Sequence, residues 1–165
     1  MNSMLQLHTV PTANGFKASI MLEECELPYS TRVYDLRAGE HLTAEYLALN
    51  PAGRLPTLVD ETGDAGRPLV VYGSAAILLH LAERSGRLLP ATPAARARVY
   101  HWLGIVASDL APAYAGQFVF GTLAPEKLPW AIEFYASCAC ACSPRFSINA
   151  VAFTTSPARN TRSPT

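Results

Sequence analysis

Two hydrogen-bonding side chains, Thr12 and Asn14, stand two positions apart in Pro11-Thr12-Ala13-Asn14-Gly15, where an alternating pattern gives way to a helical one. A hydroxyl and an amide at the head of a helix can hold an anion, because the helix dipole adds to their own. The same residue types also serve as plain turn and cap formers. Ser74 supplies a second hydroxyl, just before the apolar run Ala75–Leu79, and free N–H groups at a helix start make a ready anion site. Leu55-Pro56 lies at the start of a strand pattern; about 5% of X-Pro bonds are cis, so the sequence alone favours trans. Cys138, Cys140 and Cys142 alternate with alanine and serine. Soft-metal binding or thiol redox chemistry could use such a run, but no histidine or further cysteine stands near to complete four ligands. Cys25 falls on an apolar face and reads as core. His8, His41, His80 and His101 share no spacing with a nucleophile or metal partner, so no chemistry is assigned to them.

The elements that must position these residues follow from periodicity. Leu5-x-Leu7 alternates as a strand does and ends at the Pro11–Gly15 turn. Phe16, Ile20, Met21, Leu22 and Cys25 then recur at the three-to-four spacing of an amphipathic helix, stopped by Leu27-Pro28. A second strand spans Thr31–Leu36, a short helix Thr43–Asn50, and two further strands Leu55–Asp60 and Pro68–Tyr72, joined across a Gly- and Asp-rich connection that suits a hairpin. Ser74 caps a third helix and Gly86 ends it. Beyond Leu89-Pro90 the texture turns helical: Thr92-Pro93 is a good cap and first-turn pair for a long helix through Trp102 and Val106. A further helix runs from about Lys127 through Tyr135. From Ser137 onward the helical period is lost, and the stretch to Thr165 reads as an irregular, disordered tail.

The 165 residues allow one ordinary domain, or a small one with part of a second. Thirteen basic and thirteen acidic side chains cancel, so bulk charge draws the chain to neither nucleic acid nor an anionic membrane. Half the residues are hydrophobic, enough to bury a core and to exclude global disorder. No basic, apolar leader opens the chain, and the longest apolar stretch is far short of the ~20 residues a spanning helix needs. Four cysteines in this arrangement form no disulfide framework, and the expected location is the cytoplasm.

Taken in order, Pro11–Lys17, Leu22-Glu23-Glu24, Leu27-Pro28-Tyr29, Asn50–Asp60 and Ser74–Glu83 resemble the glutathione S-transferases. They are most similar to the bacterial branch termed the Nu class of disulfide-bond oxidoreductases. The resemblance covers residues 4 to about 90 and continues more faintly to Tyr135. It implies an α/β fold: a thioredoxin-like glutathione-binding domain over 4–90, an incomplete all-helical C-terminal domain over 91–136, and the tail 137–165. It also implies a C-terminally truncated or frameshifted chain.

On this resemblance Thr12 and Asn14 are the catalytic residues and face the sulfur of glutathione, with no catalytic cysteine. Lys17, Arg54, Leu55, Pro56, Gly73 and Ser74 would bind the rest of the tripeptide. Leu55-Pro56 would be cis and offer the Leu55 main chain to the cysteinyl portion, while Ser74 would take the γ-glutamyl carboxylate. The family usually has Glu or Gln where this chain has Gly73, and losing that contact to the glutamyl amine should cost about 1.5 to 3 kcal/mol. Glutathione would be a co-substrate, with a small electrophile or disulfide as second substrate. No metal, nucleic acid or membrane partner is implied, and the family's usual assembly is a homodimer. The function implied is conjugation of glutathione, as in detoxification, or reduction of small disulfides. The alternatives are a non-catalytic binding module and an inactive truncated product.

Overall fold

The computed structural model describes residues 4–63 and 66–154, and side chains as far as residue 141. The chain divides into two compact units, Met1–Val99 and Tyr100–Thr165. In the first unit, strand β1 (Leu5–Thr9) leads through helix α1 (Ala13–Glu24) to strand β2 (Ser30–Val33). A 3-10 turn (Glu40–Leu42) and helix α2 (Ala44–Leu49) follow, then strands β3 (Thr57–Asp60) and β4 (Leu69–Tyr72) and helix α3 (Ser74–Ser85). The sheet order is β2-β1-β3-β4. The β1–β2 pair is parallel, with Leu7 opposite Thr31. The other two pairs are antiparallel, with Leu7 opposite Leu58 and Leu58 opposite Val71.

Strand alternation sorts the side chains onto two faces. Leu5, Leu7 and Leu58 meet Ala18 and Leu22 of α1 and Ile77 and Leu81 of α3 in one apolar core. Each fully buried leucine or isoleucine there contributes roughly 1.5–3 kcal/mol over an exposed one. The amphipathic stripe expected for α1 is thereby corrected: Ala18 and Leu22 face the sheet, while Phe16 and Ile20 are 54% and 60% exposed. Small residues let the helix approach the strands closely, and the large apolar side chains are left on the outer side.

The opposite face is polar and aromatic. His8 is buried, with Nδ1 2.7 Å from the Tyr34 hydroxyl and Nε2 3.0 Å from Gln6 Oε1. Gln6 can only accept there, so Nε2 carries the proton and Nδ1 accepts from Tyr34. Tyr46 of α2 packs edge-on against Tyr34, ring centroids 4.8 Å apart. The outer strand β2 is exposed along its length. Its Arg32 lies over the Tyr34 ring and pairs with Glu45 at 3.0 Å.

At the far end of β3, the buried Asp60 carboxylate receives Thr62 N at 2.9 Å and Thr62 Oγ1 at 2.7 Å, lies 2.9 Å from His80 Nε2 and pairs with Arg84. This ties the sheet to α3. Burial alone would raise the Asp60 carboxyl, but the Thr62 and His80 hydrogen bonds and the Arg84 charge outweigh it and hold the group below its ordinary 3.8.

Several element limits differ from expectation. β2 ends at Val33 and β3 begins at Thr57, so Leu36, Leu55 and Pro56 lie in loops. Ser74 is the first helical residue of α3, and the capping position is Gly73, at φ 87°. That left-handed backbone is one glycine adopts without strain. Gly86 ends α3 at φ 67°, as expected. Tyr72, the last residue of β4, is 48% exposed.

Helix α4 (Pro93–Ile105) continues through a π-helical turn (Val106–Leu110), helix α5 (Ala111–Phe118) and a second π-helical turn (Val119–Leu123). Its first turns fall within the first compact unit, where Arg96 Nε donates to Pro90 O at 2.8 Å. Within Pro93–Leu123 an 18-residue window reaches a mean hydropathy of 1.2, so by length and composition this helix is apolar enough to cross a bilayer.

Helix α6 (Pro129–Thr154) corrects the expected tail: residues 137–154 are helical, and 155–165 lie outside the described residues. Gly116 of α5 lies so close to α6 that a Cβ there would come 2.4 Å from the Tyr135 ring, and Phe120 stacks on that ring at 5.5 Å.

Two outcomes follow. Gly116→Ala should destabilise the second unit by about 1–3 kcal/mol through overpacking, read as a lower thermal midpoint; an unchanged midpoint would show that α5 and α6 pack otherwise. Burial and the Arg32 charge hold the His8 ring below its ordinary 6.5, as Asp60 is held below 3.8. Both groups bind protons more weakly folded than unfolded, so stability is full at neutral pH and falls as pH drops. The urea midpoint should decline from about pH 6.5 downward and again below about pH 4, and Asp60→Asn should lower it at pH 7 while removing the second decline.

Candidate functional site

The turn between β1 and α1 builds one wall of a cleft of about 480 Å³, lined by Val10, Thr12, Asn14, Leu36, His41, Ala52, Gly53, Arg54 and Leu55. Thr12 has extended backbone (φ −127°, ψ 165°) and caps α1, its Oγ1 accepting from Gly15 N at 3.3 Å. A hydroxyl that accepts still has its own proton to donate. Asn14 sits on the exposed first turn, and its Oδ1 accepts from Lys17 Nζ at 3.0 Å. The ammonium can only donate, which fixes the amide with oxygen toward Lys17 and leaves the NH₂ group as donor. The turn therefore presents an O–H and an N–H₂ beside the positive end of α1, whose first turn holds no acidic residue.

The opposite wall is the loop before β3. The Leu55–Pro56 bond is cis, as the resemblance implies. Two buried side chains hold the preceding carbonyl: Tyr46 Oη donates to Arg54 O at 2.6 Å, and Asn50 Nδ2 donates to the same oxygen at 2.7 Å. Thr57 Oγ1 lies 2.8 Å from Tyr46 Oη and accepts from Asn50 Nδ2 at 3.1 Å. Burial pushes the Tyr46 hydroxyl above its ordinary value and keeps it protonated, outweighing the Thr57 and Asn50 contacts that act the other way.

Of the residues singled out from sequence, Thr12, Asn14, Arg54 and Leu55 share this cleft. Lys17 reaches it through Asn14. Pro56 is buried behind Leu55, and Gly73 and Ser74 form the start of α3 outside the lining. The structure adds His41, which spacing could not reveal: the 3-10 turn brings it into the lining with its buried Nδ1 unpartnered. The lining holds Arg54 and His41 and no carboxylate, so it favours an anion.

Among the described residues no cysteine lines this cleft. Cys25 is buried, and Cys138 and Cys140 lie on α6, where two residues two positions apart point away from each other. Among the described residues no group of three or more His, Cys, Asp or Glu converges.

Residues 13–84 match the family model for the glutathione S-transferase N-terminal domain. Disulfide-bond oxidoreductase YfcG of Escherichia coli K12 is 38% identical over 133 residues, which cover 80% of this chain and 62% of that protein. A solved glutathione transferase family member from Pseudomonas fluorescens, described with two glutathione bound, superposes at a TM-score of 0.79 with 33% identity. It aligns with 83% of this chain and 61% of its own. The glutathione transferase homolog of Lodderomyces elongisporus, with two GSH per subunit, reaches 0.80 at 30% identity, over 87% of this chain and 68% of its own. A thioredoxin-like mixed sheet with α1 and α3 on one face, a cis bond before Pro56 and these matches converge: the chain belongs to the glutathione S-transferase family.

Proposed function

We propose that the cleft binds glutathione and holds its sulfur as a thiolate, for conjugation to electrophiles or reduction of small disulfides. The observation that carries this reading is the pair of free donors, the Thr12 O–H and the Asn14 N–H₂, beside the start of α1. A free thiol titrates near 8.5, and each unit of depression needs about 1.4 kcal/mol of preference for the anion. One or two hydrogen bonds to a charged acceptor, at about 1.5–3 kcal/mol each, supply one to three units. The glutathione named with the Pseudomonas fluorescens and Lodderomyces elongisporus proteins supports the ligand, and the name of the Escherichia coli relative supports the disulfide chemistry. This chain spans 62% of that relative's length, so its activity is inferred from the first unit alone.

In this reading Leu55 offers its main chain to the cysteinyl portion as an added strand would. Arg54, with Ser74 at the head of α3, meets the carboxylates. The thiolate attacks an electrophilic carbon and displaces its leaving group. Alternatively it attacks one sulfur of a disulfide, whose S–S bond breaks while the departing thiolate takes up a proton. No protein thiol is required. The chain would act in the cytoplasm, where glutathione is kept reduced, and as a homodimer.

One observation favours a second reading, a binding module without turnover: Gly73 puts no side chain next to Ser74 to meet the ligand's ammonium. Loss of such a contact weakens binding roughly ten- to a hundredfold.

Calorimetric titration with glutathione should give saturable heat, and ultraviolet titration of the bound thiol should place its pKa about one to three units below 8.5. Asn14→Ala leaves the α1 cap intact and should return the bound thiol most of the way to 8.5. Absence of heat at millimolar glutathione would defeat the reading. Turnover of a dinitrobenzene electrophile or of hydroxyethyl disulfide separates the catalytic reading from the binding module.

A cap test accompanies it: Thr12→Ala should cost about 0.5–2 kcal/mol in stability, while Thr12→Ser should keep both stability and the lowered thiol pKa. A Thr12→Ala chain that stays folded and keeps the lowered thiol pKa would show that the hydroxyl does not reach sulfur.

A further inference from the structure

The Arg54 carbonyl is the most heavily held main-chain atom of the cleft. It accepts from Tyr46 Oη and from Asn50 Nδ2, and both side chains are 1% exposed. The donors are fixed in turn. Tyr46 gives its one proton to Arg54 O, so its contact with Thr57 has the threonine hydroxyl donating to Tyr46 Oη. Asn50 Nδ2 places its second N–H on Thr57 Oγ1, and Asn50 Oδ1 accepts from Ala52 N at 3.0 Å. Every proton of this circuit has one destination, and the circuit ends on Ala52 and Arg54, which line the cleft with Gly53 and Leu55. A closed network of this kind admits a single arrangement of the loop it holds.

We propose that Tyr46 is a positioning residue for the thiol peptide: its hydroxyl fixes the Arg54 carbonyl, and with it the direction in which the Leu55 main chain faces the ligand. The proposal rests on the reading that the cleft holds glutathione. It assigns Tyr46 to affinity and leaves the sulfur to Thr12 and Asn14, on the opposite wall. Tyr46→Phe keeps the ring on Tyr34 and removes only the oxygen. Arg54 O then keeps one donor, the Thr57 hydroxyl loses its acceptor, and the loop gains alternatives to the bound-competent arrangement.

The test is calorimetry with glutathione and ultraviolet titration of the bound thiol, on the wild-type chain and Tyr46→Phe, each checked for fold by far-ultraviolet circular dichroism. The expected result is an affinity about tenfold weaker with the bound-thiol pKa unchanged, and in turnover a raised KM with kcat retained. Wild-type binding matched within twofold by Tyr46→Phe would overturn the proposal and leave the proposed function standing. A shifted thiol pKa in Tyr46→Phe would overturn it too, because the residue would then act on sulfur. A wild-type chain that takes up no glutathione would defeat both. If Tyr46→Phe melts below the assay temperature, Thr57→Val, which removes the hydroxyl that fixes Tyr46, should weaken binding severalfold and Thr57→Ser should restore it; equal affinity in Thr57→Val and Thr57→Ser would overturn the proposal.

Discussion

The first unit depends on one packing constraint. Two helices must cover the same apolar face of a sheet whose strands are four or five residues long. Leu7, Leu22, Leu58, Ile77 and Leu81 have no exposed surface, so α1 and α3 have no freedom to slide along the strands. The end of β1 is then joined by three residues to the start of α1, and the donors of Thr12 and Asn14 are delivered where the strand ends. In an open α/β sheet the crevice beyond the strand ends is where ligands bind. The placement of the site is thus a by-product of filling the core.

The buried polar groups, on both faces of the sheet, answer a different demand. His8, Asn50, Thr57 and Asp60 are buried, and each finds partners. The two networks tie different things together: Asp60 joins β3 to α3, whereas Asn50 and Thr57 join α2 to the loop before β3. A buried polar group without its partner costs more than the pair contributes, so each network also rejects competing arrangements of the loops it holds.

Much of the first unit was legible in the sequence because its signals are local. Alternation at Leu5–Leu7 and Gly86 after α3 sit where the structure uses them, whereas of the turn residues Pro11–Gly15 the last three already belong to α1. The errors arose where tertiary context decides. Phe16 and Ile20 satisfy a helical period, yet the face of α1 that meets the sheet carries Ala18 and Leu22. His41 carried no signal at all, since its importance comes from a turn that the fold brings to the cleft. In the second unit, the Ala-Cys-Ala repeat carries no helical period to read, and Pro144, a residue of low helix propensity, lies within α6.

The bare outer strand β2 has a bearing on how the molecule behaves when concentrated. A sheet margin with unpaired N–H and C=O groups invites another chain to add alongside and seed fibrous growth. Here the margin runs for only four residues, Ser30–Val33, and in its middle the Arg32 guanidinium is stacked on Tyr34 and bound to Glu45. An incoming strand would have to displace that cation or leave it buried without solvent. The ion pair adds little to the stability of the fold; its effect is to keep separate molecules from zipping together.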